Sequence, residues 1–420
     1  MIKKSYRQII PWVLYDFANA PFSVIVLTFV YSTFFTKFLA PHDITGTTLW
    51  SAVLASSGLV IGLLSPLFGS IADQAGQKKR WLIVFASLVI ICTIILSFFG
   101  TRLGNEAFLL ILVFIANCSY NFAQVFYNSL LIKVAPQEKW GRVSGLGWGL
   151  GYIGGWICLI ITLVFFIPDT DNFSQLASGV KKTLWLVALW FFIFSAPLFI
   201  FLKEKKGSSI SWKFVLLGFS QLKETFFSLK EYKKLLGFLC AYFFYSDGIT
   251  TLLNFGGIFA ATVLGFSFFE VLLFAIIINL IAGIGALAFG FVDDKIGPIK
   301  LILIALTVVS SCCFFIIIFQ TEISFWIFGM LLGIFIGPLQ SASRSLLAKL
   351  SPQDKITEMF GLYAFTGKLS TFIGPFFISL LSHFFHSKTA GLYVVVMMLF
   401  IGLIQMVYLL KKNRHSFTDE

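Results

Sequence analysis

Charged residues are scarce in this chain of 420 residues, at 12% of the composition, and acids are the scarcer sign, with 19 Asp and Glu against 31 Lys and Arg. Because soluble domains carry about 25% charged residues, this scarcity excludes a soluble globular protein. The hydrophobic share is 58% and includes 52 phenylalanines. So much apolar surface requires a lipid bilayer as solvent, where helices are the favoured way to satisfy the backbone.

Histidine and cysteine are too few to suggest a metal site. His383 and His386 lie at one helix end, and the six cysteines all fall in apolar segments without a CxxC spacing. Such cysteines are typical of small buried hydrophobes rather than of disulfides or metal ligands. The sequence also lacks GxSxG, HExxH and phosphate-loop motifs. It therefore predicts no enzyme, no metal and no cofactor, and it leaves an ion gradient as the energy source.

Twelve apolar segments are long enough to cross a bilayer as helices. The first is expected to be retained, because no cleavage signal follows it. The predicted spans are Trp12 to Leu39, Leu49 to Ala72, Trp81 to Phe99, Ala107 to Ile132, Ser144 to Ile167, Thr183 to Leu202, Leu235 to Leu264, Phe269 to Val292, Ile299 to Phe319, Ile323 to Ala348, Thr357 to Phe385 and Ala390 to Leu410.

Basic residues are distributed unequally between alternate loops. One set of loops holds most of them, including the clusters Lys78 to Arg80 and Lys203 to Lys234. The other set holds only Arg102, Lys181, Lys182 and Lys388. The positive-inside rule then places both termini and the middle loop in the cytoplasm. This orientation explains the net charge of +12 better than nucleic-acid binding does, so we expect the lipid bilayer and no nucleic acid as partner.

The chain contains an internal repeat. Its second copy runs from Gly337 to Pro375, and positions 216 residues earlier match it without a gap, so that Lys349 corresponds to Lys133. Repeats of this kind are common in transporters. We therefore predict a first half at residues 1–202 and a second half at residues 235–420. A basic linker at 203–234 joins them, and its amphipathic part around Trp212 to Leu229 is expected to lie on the anionic membrane surface.

A GxxxDxxG turn follows the second span and returns after the eighth. It contains Asp73 in the first half, with Arg80 among the basic residues that follow, and Asp294 in the second half. Glycines allow a tight turn, and an aspartate can pair with basic residues or cap a neighbouring helix. We predict that Asp73, Arg80 and Asp294 contribute to latches on the cytoplasmic side.

An acidic residue begins a polar stripe in the first and seventh spans. Asp16 and Asn19 share a helix face, as do Asp247 and Asn254. For Asp16 two interpretations stay open, a functional carboxylate or one that only favours the helix N-terminus. Asp247 lies deeper in its span. A carboxyl group in a low dielectric can exchange a proton near neutral pH, so Asp16 or Asp247 is predicted to carry the coupling proton.

Polar residues also line one face of the fourth span and of its repeat, the tenth. The fourth span carries Asn117, Asn121, Gln124 and Asn128, at spacings of a single helix face. The tenth carries Gln340 and Arg344 in the same register. A single amide in a membrane helix often bonds a neighbouring helix, whereas this stripe favours a watered cavity. In the fifth span, Gly147, Gly151 and Gly155 predict close helix packing.

Arg344 and Lys368 place positive charges inside apolar spans. At a bilayer centre each charge costs at least about 2.5 kcal/mol, so it indicates a functional site with a partner. Two alternatives are open. The two cations bind a substrate carboxylate, for which arginine offers two-point contact, or they pair with Asp16 and Asp247 as switching salt bridges.

These motifs resemble known families. Twelve spans in two halves, with GxxxDxxG and a KKR cluster between the second and third, resemble the major facilitator superfamily. Within it, Trp12-x-x-Tyr15-Asp16, Tyr127-Asn128-Ser129-Leu130-Leu131, Gln340-Ser341-x-Ser343-Arg344-Ser345 and Gly361-x-Tyr363 to Gly367-Lys368 are similar to the vacuole effluxer family of autophagy-related amino-acid exporters and their bacterial relatives. The usual Tyr-Asp-Trp-Ala-Asn-Ser differs here at Phe17 and Ala20-Pro21, and Pro21 is expected to kink the first helix.

The resemblance implies an all-α membrane protein of two pseudo-symmetric six-helix bundles, with the first, fourth, seventh and tenth spans around a central cavity. The predicted function is a secondary transporter of a small polar solute, amino acids first, and we expect a monomer. Because the chain is compact with short loops, we expect it in a bacterial inner membrane rather than in a vacuole. The residues expected to bind the solute are Asn19, Asn121, Gln124, Asn128, Asn254, Gln340, Arg344 and Lys368. Alternatives are a carrier of peptides or organic anions and a non-transporting lipid-handling or scaffold protein, which the deep charges disfavour.

Overall fold

The computed structural model describes residues 2–40, 42–168, 172–204, 212–228, 230–385 and 390–415. These residues are almost entirely helical. Twelve helical segments among them are long and apolar enough to cross a membrane. The predicted all-α fold with twelve spans is therefore confirmed.

The first half of the chain forms six spans, two of them made of more than one helix. The fourth span consists of α5 and α6, and the first consists of α1 and α2 with π-helical turns at Phe22–Phe29 and Phe35–Leu39. The helices are α1 Ile2–Pro21, α2 Tyr31–Phe34, α3 Asp43–Ala75, α4 Lys78–Phe99, α5 Glu106–Ser129, α6 Leu131–Val134, α7 Trp140–Phe165 and α8 Phe173–Phe201.

The second half follows a separate linker helix and again forms six spans. Its eleventh span is broken, because α14 ends at Ser370 and α15 begins at Ile373. The helices are α9 Trp212–Ser228 in the linker, then α10 Lys233–Thr262, α11 Phe268–Ile296, α12 Pro298–Phe319, α13 Glu322–Leu350, α14 Ile356–Ser370, α15 Ile373–Phe384 and α16 Tyr393–His415.

The first span changes its helix type where the sequence predicts a kink. The regular helix α1 ends at Pro21, and π-helical turns continue to Phe29. Proline has no backbone N–H to donate and its ring crowds the preceding turn, so regular α-helical bonding does not pass through this position.

The two halves touch along their ends that carry the turns at residues 76–77, 135–139, 297 and 351–355, which we call the basic end. There α7 meets α11 and α3 meets α14 at backbone distance. A Cβ on Gly145 would lie 2.5 Å from the carbonyl oxygen of Ala286, and a Cβ on Gly361 would lie 2.4 Å from that of Ser65. A side chain at either position would push the halves apart. The two glycines therefore allow the halves to touch at the basic end.

The small face of the fifth span packs as predicted. A Cβ on Gly147 would lie 2.6 Å from Asp16 Oδ2, and a Cβ on Gly155 would lie 3.0 Å from Val24 Cγ2. These glycines let α7 approach the first span closely, which confirms the prediction of close helix packing. The approach also brings α7 next to a predicted functional carboxylate.

One cysteine differs from expectation. Cys92, Cys118, Cys158, Cys312 and Cys313 are buried as predicted, but Cys240 is exposed on α10. The outer surface of a membrane helix contacts lipid rather than water, so a small apolar side chain is tolerated there.

The linker helix α9 contacts both halves at the basic end. The Ser70 hydroxyl of α3 donates to the carbonyl oxygen of Gly218 at 2.6 Å. Gln221 is hydrogen-bonded both to Gln74 of α3 and to Glu358 of α14. This helix therefore bridges the two halves while they are closed.

The outer face of α9 exposes Leu216, Phe219 and Phe227. The predicted amphipathic helix is thus confirmed, except for Leu229, which lies outside the described residues. Its placement on an anionic membrane surface stays a prediction.

Candidate functional site

A cavity of about 460 Å³ lies between the two halves. The first, fourth and seventh spans line it as expected, but so do the fifth, eighth and eleventh, and the tenth contributes Arg344. Together these spans bring most of the predicted polar residues to one place. The predicted site residues that line the cavity are Asp16, Asn19, Asn121, Gln124, Asn128, Arg344 and Lys368.

Arg344 reaches from the second half into the first and is held there by four hydrogen bonds. Its Nη1 donates to Asp16 Oδ2 at 2.9 Å and to Asn128 Oδ1 at 3.1 Å. Its Nε and Nη2 donate to the hydroxyl and the carbonyl oxygen of Ser144 at 2.8 and 2.7 Å. The guanidinium also lies 4.8 Å from the ring centroid of Trp12. For Arg344 the structure therefore shows the internal salt bridge with Asp16.

Lys368 lies in the last turn of α14 and lines the same cavity. Within the part of the chain that the structure describes, no residue accepts a hydrogen bond from its ammonium or forms a salt bridge with it. The alternative pairing of Lys368 with Asp247 is absent from these described contacts. A desolvated cation without a partner inside a cavity is costly, so Lys368 is the group that a bound anion would satisfy.

Asp247 is buried outside the cavity lining, beside the break in the eleventh span. Its Oδ2 accepts a hydrogen bond at 2.8 Å from the N–H of Gly374 in the first turn of α15, and Thr251 donates to Oδ1 at 3.4 Å. A carboxylate in this position satisfies an orphan N–H and favours the helix dipole. The helix-terminus role that the sequence left open for Asp16 is thus seen at Asp247.

Replacing Asp247 separates a capping role from a proton-carrying role. Asp247→Asn keeps an oxygen that can accept from the Gly374 N–H, whereas Asp247→Ala removes it. If capping dominates, we expect the alanine variant to lose about 1 kcal/mol of unfolding free energy and the asparagine variant to retain both stability and pH-dependent transport. Thermal unfolding and uptake at two pH values measure this. Loss of pH dependence in Asp247→Asn would assign the coupling proton to Asp247 instead.

Asn254 and Gln340 lie outside the cavity lining. Asn254 is exposed, seven residues beyond Asp247 in the same helix and so about 10 Å further along it. Gln340 lies behind the lining, where its Oε1 accepts a hydrogen bond from Tyr152 at 2.6 Å. Helical spacing identifies the face of a span, but it does not show how far along the helix the cavity extends, which explains Asn254. Nor does it show which neighbouring side chain covers that face, which explains Gln340.

The amide stripe of the fourth span has two functions along its length. Asn117 bonds Ser57 of α3 at 2.7 Å and so ties two helices together. Gln124 donates to Asn19 Oδ1 at 3.2 Å on the wall of the cavity. Asn121 donates to the carbonyl oxygen of Asn117 at 2.8 Å. Asn117 therefore has a structural role. The rest of the stripe, Asn121, Gln124 and Asn128, faces the cavity.

Several aromatic residues of the cavity escaped the sequence analysis. Trp148, Tyr152 and Trp156 follow one another at four-residue spacing on α7 and line the cavity. The four-residue spacing places these aromatic residues on one helix face, and it could have identified them from the sequence. The indole N–H groups of Trp148 and Trp156 are buried and lack an acceptor among the described residues. Asn279, another lining residue, is a single amide in the apolar eighth span and could have been singled out on the same grounds as Asn121.

Asp73 joins the two halves at the basic end. Its carboxylate accepts from the N–H groups of Thr357 and Glu358 at 2.8 and 2.9 Å, which caps α14, and it pairs with Lys78 at 2.7 Å. Arg80 is not a partner of Asp73 and instead donates to Gln77 Oε1 at 3.2 Å. The turn places Lys78, two residues earlier, next to the carboxylate.

A matching contact joins α11 to α7. Asp294 accepts from the N–H of Arg142 at 3.0 Å and pairs with its Nε at 3.3 Å. The adjacent Asp293, which the sequence analysis did not single out, is buried against the same helix start, since a Cβ on Gly141 would lie 2.5 Å from its Cγ. Each half thus extends an acid to the N-terminus of a helix in the other half, at positions related by the internal repeat.

Comparison with known families decides the classification. A family model described as "Major Facilitator Superfamily" matches residues 4–159, and one described as "Vacuole effluxer Atg22 like" matches residues 132–416, more than half of the chain. The chain belongs to the Atg22-like vacuole effluxer family. The resemblance drawn from its motifs is therefore confirmed.

Relatives of this Atg22-like chain include a bacterial protein named as a transporter and a fungal autophagy-related protein. The "Uncharacterized MFS-type transporter YxiO" of Bacillus subtilis is 27% identical over 415 residues, 97% of this chain and 96% of the relative. "Autophagy-related protein 22" of Kluyveromyces lactis is 24% identical over 359 residues, 78% of this chain and 71% of the relative.

Solved structures confirm the fold of this Atg22-like chain. The transporter FucP in the outward conformation superposes with a TM-score of 0.78 at 12% identity, over 96% of this chain and 98% of that one. The proton:xylose symporter XylE gives 0.72 at 14% identity, over 97% and 95%. The chain is thus a multi-pass membrane transporter with the major facilitator fold.

Proposed function

We propose that the chain is a secondary transporter that moves a small solute bearing a carboxylate, with amino acids as the first candidates, by proton-coupled alternating access. The observation that carries this proposal is Lys368, a cation in the inter-half cavity whose ammonium has no partner among the described residues. Charge-assisted hydrogen bonds to a carboxylate are among the stronger polar contacts. Arg344 is less available, because Asp16 and Ser144 already satisfy it.

The remaining cavity wall suits a small solute with further polar groups. Its volume of about 460 Å³ lies within the usual range for small-molecule sites. Amide oxygens and N–H groups are offered by Asn121, Gln124 and Asn279. The indole N–H groups of Trp148 and Trp156 have no acceptor among the described residues and could donate to the solute. An α-ammonium group would be held by amide oxygens and by the faces of the aromatic rings.

An organic anion without an ammonium group is the second candidate. Among the described residues that line the cavity, Asp16 is the one acid, and it is paired with Arg344. The cavity as it stands therefore holds no spare carboxylate for a substrate ammonium. Transport of dicarboxylates but not of amino acids would favour this candidate.

Proton coupling is proposed to act through Asp16. Protonation of Asp16 would remove the charge that holds Arg344 Nη1 at 2.9 Å and would weaken the attachment of α13 to the first half. Release of Arg344 would let the two halves separate at the basic end. Asp247 was the other candidate from the sequence, but its carboxylate is engaged in capping α15.

The moving bodies are proposed to be residues 1–202 and 235–420, with the linker at 203–234 between them. We place both termini and the basic end in the cytoplasm of a bacterial cell, in its inner membrane, with the monomer as the working unit. The charge asymmetry of the loops supports this orientation. In the conformation described here the two halves are in contact at the basic end. The solute would therefore enter and leave the cavity from the opposite side of the membrane.

The acids that join the halves at the basic end are expected to control the conformational equilibrium. The double substitution Asp73→Ala and Asp294→Ala removes both helix caps across the interface. With about 1 kcal/mol lost at each cap, we expect the population open at the basic end to rise about 30-fold. Reactivity of a cysteine placed in the cavity towards a thiol reagent added from the basic side measures this. Arg80→Ala is the control, and equal reactivity in both variants would contradict the latch.

The experiment that tests the proposed function is solute counterflow. Proteoliposomes holding the purified protein are loaded with an unlabelled amino-acid mixture, and uptake of labelled amino acids is followed with and without an imposed proton gradient. We expect uptake that responds to the gradient. Absence of uptake for all amino acids, by protein shown to be folded, would overturn the substrate proposal and direct the assay to organic anions and peptides.

A further inference from the structure

Three aromatic rings of the first half surround the guanidinium of Arg344. Its central carbon, Cζ, lies 4.8 Å from the ring centroid of Trp12 and 5.6 Å from those of Tyr127 and Trp148. The rings belong to α1, α5 and α7, whereas Arg344 belongs to α13 of the second half. We call the three rings the aromatic cage. A cation over an aromatic face is attracted by the ring, most strongly where water is excluded.

The aromatic cage is fixed in place by its own contacts. Trp12 and Tyr127 are fully buried and stack with their ring centroids 4.5 Å apart. The indole N–H of Trp12 donates to the carbonyl oxygen of Tyr127 at 3.0 Å. Gly147 lies against the guanidinium, since a Cβ there would be 2.8 Å from Arg344 Nη2. The first half therefore provides a receptor that is shaped for the side chain of Arg344.

Most of the contacts that hold Arg344 do not depend on the charge of Asp16. Of the four hydrogen bonds that the guanidinium donates, one goes to the Asp16 carboxylate, and the others go to neutral oxygens of Asn128 and Ser144. The attraction to the aromatic cage is also independent of that charge, because indole does not titrate and phenol titrates only near pH 10. Loss of the Asp16 charge would leave these contacts in place.

We propose that the aromatic cage keeps Arg344 docked in the first half after Asp16 takes up a proton, so that proton uptake alone does not open the basic end. This inference rests on the proposed function, in which Asp16 carries the coupling proton. Opening then requires a second event. The solute is the group positioned to supply it, because Arg344 and Trp148 line the cavity in which it would bind. The three rings are thus positioning residues that prevent the empty carrier from cycling with a proton alone.

The surroundings of Asp16 determine which groups respond to acid. From α13 it faces Arg344, from α7 the glycines Gly147 and Gly151, and α8 packs aromatic rings on its neighbours in α1. The remaining titratable groups of this set are phenols: Tyr15, Tyr120 and Tyr127. Phenols stay neutral in the acidic range. Asp16 is therefore the member of this set that can change its charge there.

The test removes the charge of Asp16 without acid. Asp16→Asn reproduces the neutral side chain whether or not Asp16 titrates. Spin labels at Glu138 and Asp354, both exposed at the basic end, report the open fraction in a Cys240→Ser background without solute. Trp148 is the ring to replace, because it lines the cavity and its substitution leaves the buried stack of the other two rings intact.

Asp16→Asn alone is expected to stay mainly closed. Adding Trp148→Leu is expected to raise the ratio of open to closed protein about tenfold, because one desolvated cation–ring contact is lost. Trp148→Phe, which keeps a ring, is expected to raise the ratio less. Trp148→Leu with Asp16 intact is expected to stay closed at neutral pH, where the carboxylate still holds Arg344, and to open at low pH.

Trp156→Leu is the matched control. Trp156 lines the same cavity from the same helix, about two turns further along, but it is not among the rings that the described structure places over Arg344. In the Asp16→Asn background this substitution is expected to leave the open fraction unchanged. Equal opening by Trp156→Leu and Trp148→Leu would overturn the proposal, because the effect would then belong to the cavity wall in general.

Further results would also overturn the role of the aromatic cage. They are opening of Asp16→Asn alone to the level of the double variant, an unchanged open fraction in the double variant, equal opening by Trp148→Leu and Trp148→Phe, and opening of Trp148→Leu at neutral pH with Asp16 intact. Failure of the coupling proposal has a different signature. The double variant would then open at neutral pH while Trp148→Leu with Asp16 intact stays closed at low pH. That result would overturn Asp16 as the proton site and support the hold of the cage on Arg344.

Discussion

Lys368→Ala is expected to reduce counterflow of the transported solute about 30-fold or more. Truncating one partner of a buried charge pair costs about 2 kcal/mol at least, and about 1.4 kcal/mol corresponds to a factor of ten in an equilibrium constant. Arg344, the other described cation in the cavity, is held by Asp16 and Ser144. It therefore cannot replace Lys368, and the full loss is expected. Initial rates of counterflow measure the effect.

Two companion variants make the Lys368 result specific. Lys368→Arg keeps the charge and is expected to retain measurable counterflow with altered affinity, because the guanidinium is larger and differently directed. Lys295→Ala removes an exposed lysine outside the cavity and is expected to have no effect. Wild-type counterflow by Lys368→Ala would show that the solute does not use this cation.

Arg344→Gln is expected to be the most damaging single substitution for the folded protein. Arg344 is buried and Asp16 would be left as an unpaired charge. Breaking a buried pair by removing one partner costs about 3–5 kcal/mol. The expected result is a clear drop in the thermal unfolding midpoint of the purified protein and the loss of counterflow.

The double variant Asp16→Asn with Arg344→Gln tells stability apart from function. Removing both charges leaves no unpaired charge buried, so the midpoint should recover in part relative to that of Arg344→Gln. Transport should not recover its response to the proton gradient, because the proposed proton carrier is gone. A midpoint of Arg344→Gln equal to that of the wild type would contradict the buried salt bridge, and gradient-driven uptake by the double variant would exclude Asp16 as the coupling group.

Helical spacing correctly predicted the lining residues of the solute cavity where the polar residues lay at the same depth in the membrane as the cavity. Asn19, Gln124 and Asn128 were placed on the correct faces because the period of an α-helix fixes direction around its axis. The same reasoning could not fix depth, so Asn254 was included although it lies beyond the cavity.

The role of Asp247 depended on a feature that periodicity does not reveal. The eleventh span breaks between Ser370 and Ile373, and only this break creates a helix N-terminus for Asp247 to cap. Similarly, the pair of Arg344 with Asp16 joins residues 328 positions apart. The sequence offered the pair as one of two alternatives, and the packing of the two halves was needed to choose between them.

The internal repeat predicted equivalent positions but not how each half satisfies them. It paired Lys133 with Lys349, yet Glu204 of the linker region neutralises the first and Asp293 only approaches the second. Glu204 falls outside the repeated motifs, and Asp293 stands at a position of the GxxxDxxG turn that Ala72 occupies in the first half. Differences between the halves therefore had to come from the structure.

If the two halves alternate in exposing the cavity, the distances between them must change at both ends of the molecule. In a Cys240→Ser background, which removes the exposed cysteine, one spin-label pair is placed at Glu138 and Asp354 on the basic end. A second is placed at Leu103 and Ile323 on the opposite end. All four residues are exposed, and each pair joins the two halves.

On addition of a transported solute under a proton gradient, we expect the Glu138–Asp354 distance to lengthen in part of the population. The Leu103–Ile323 distance should shorten in the same fraction. Distances at both ends that stay fixed under every solute and pH condition, in protein shown to be folded, would contradict alternating access and favour a scaffold without solute flux.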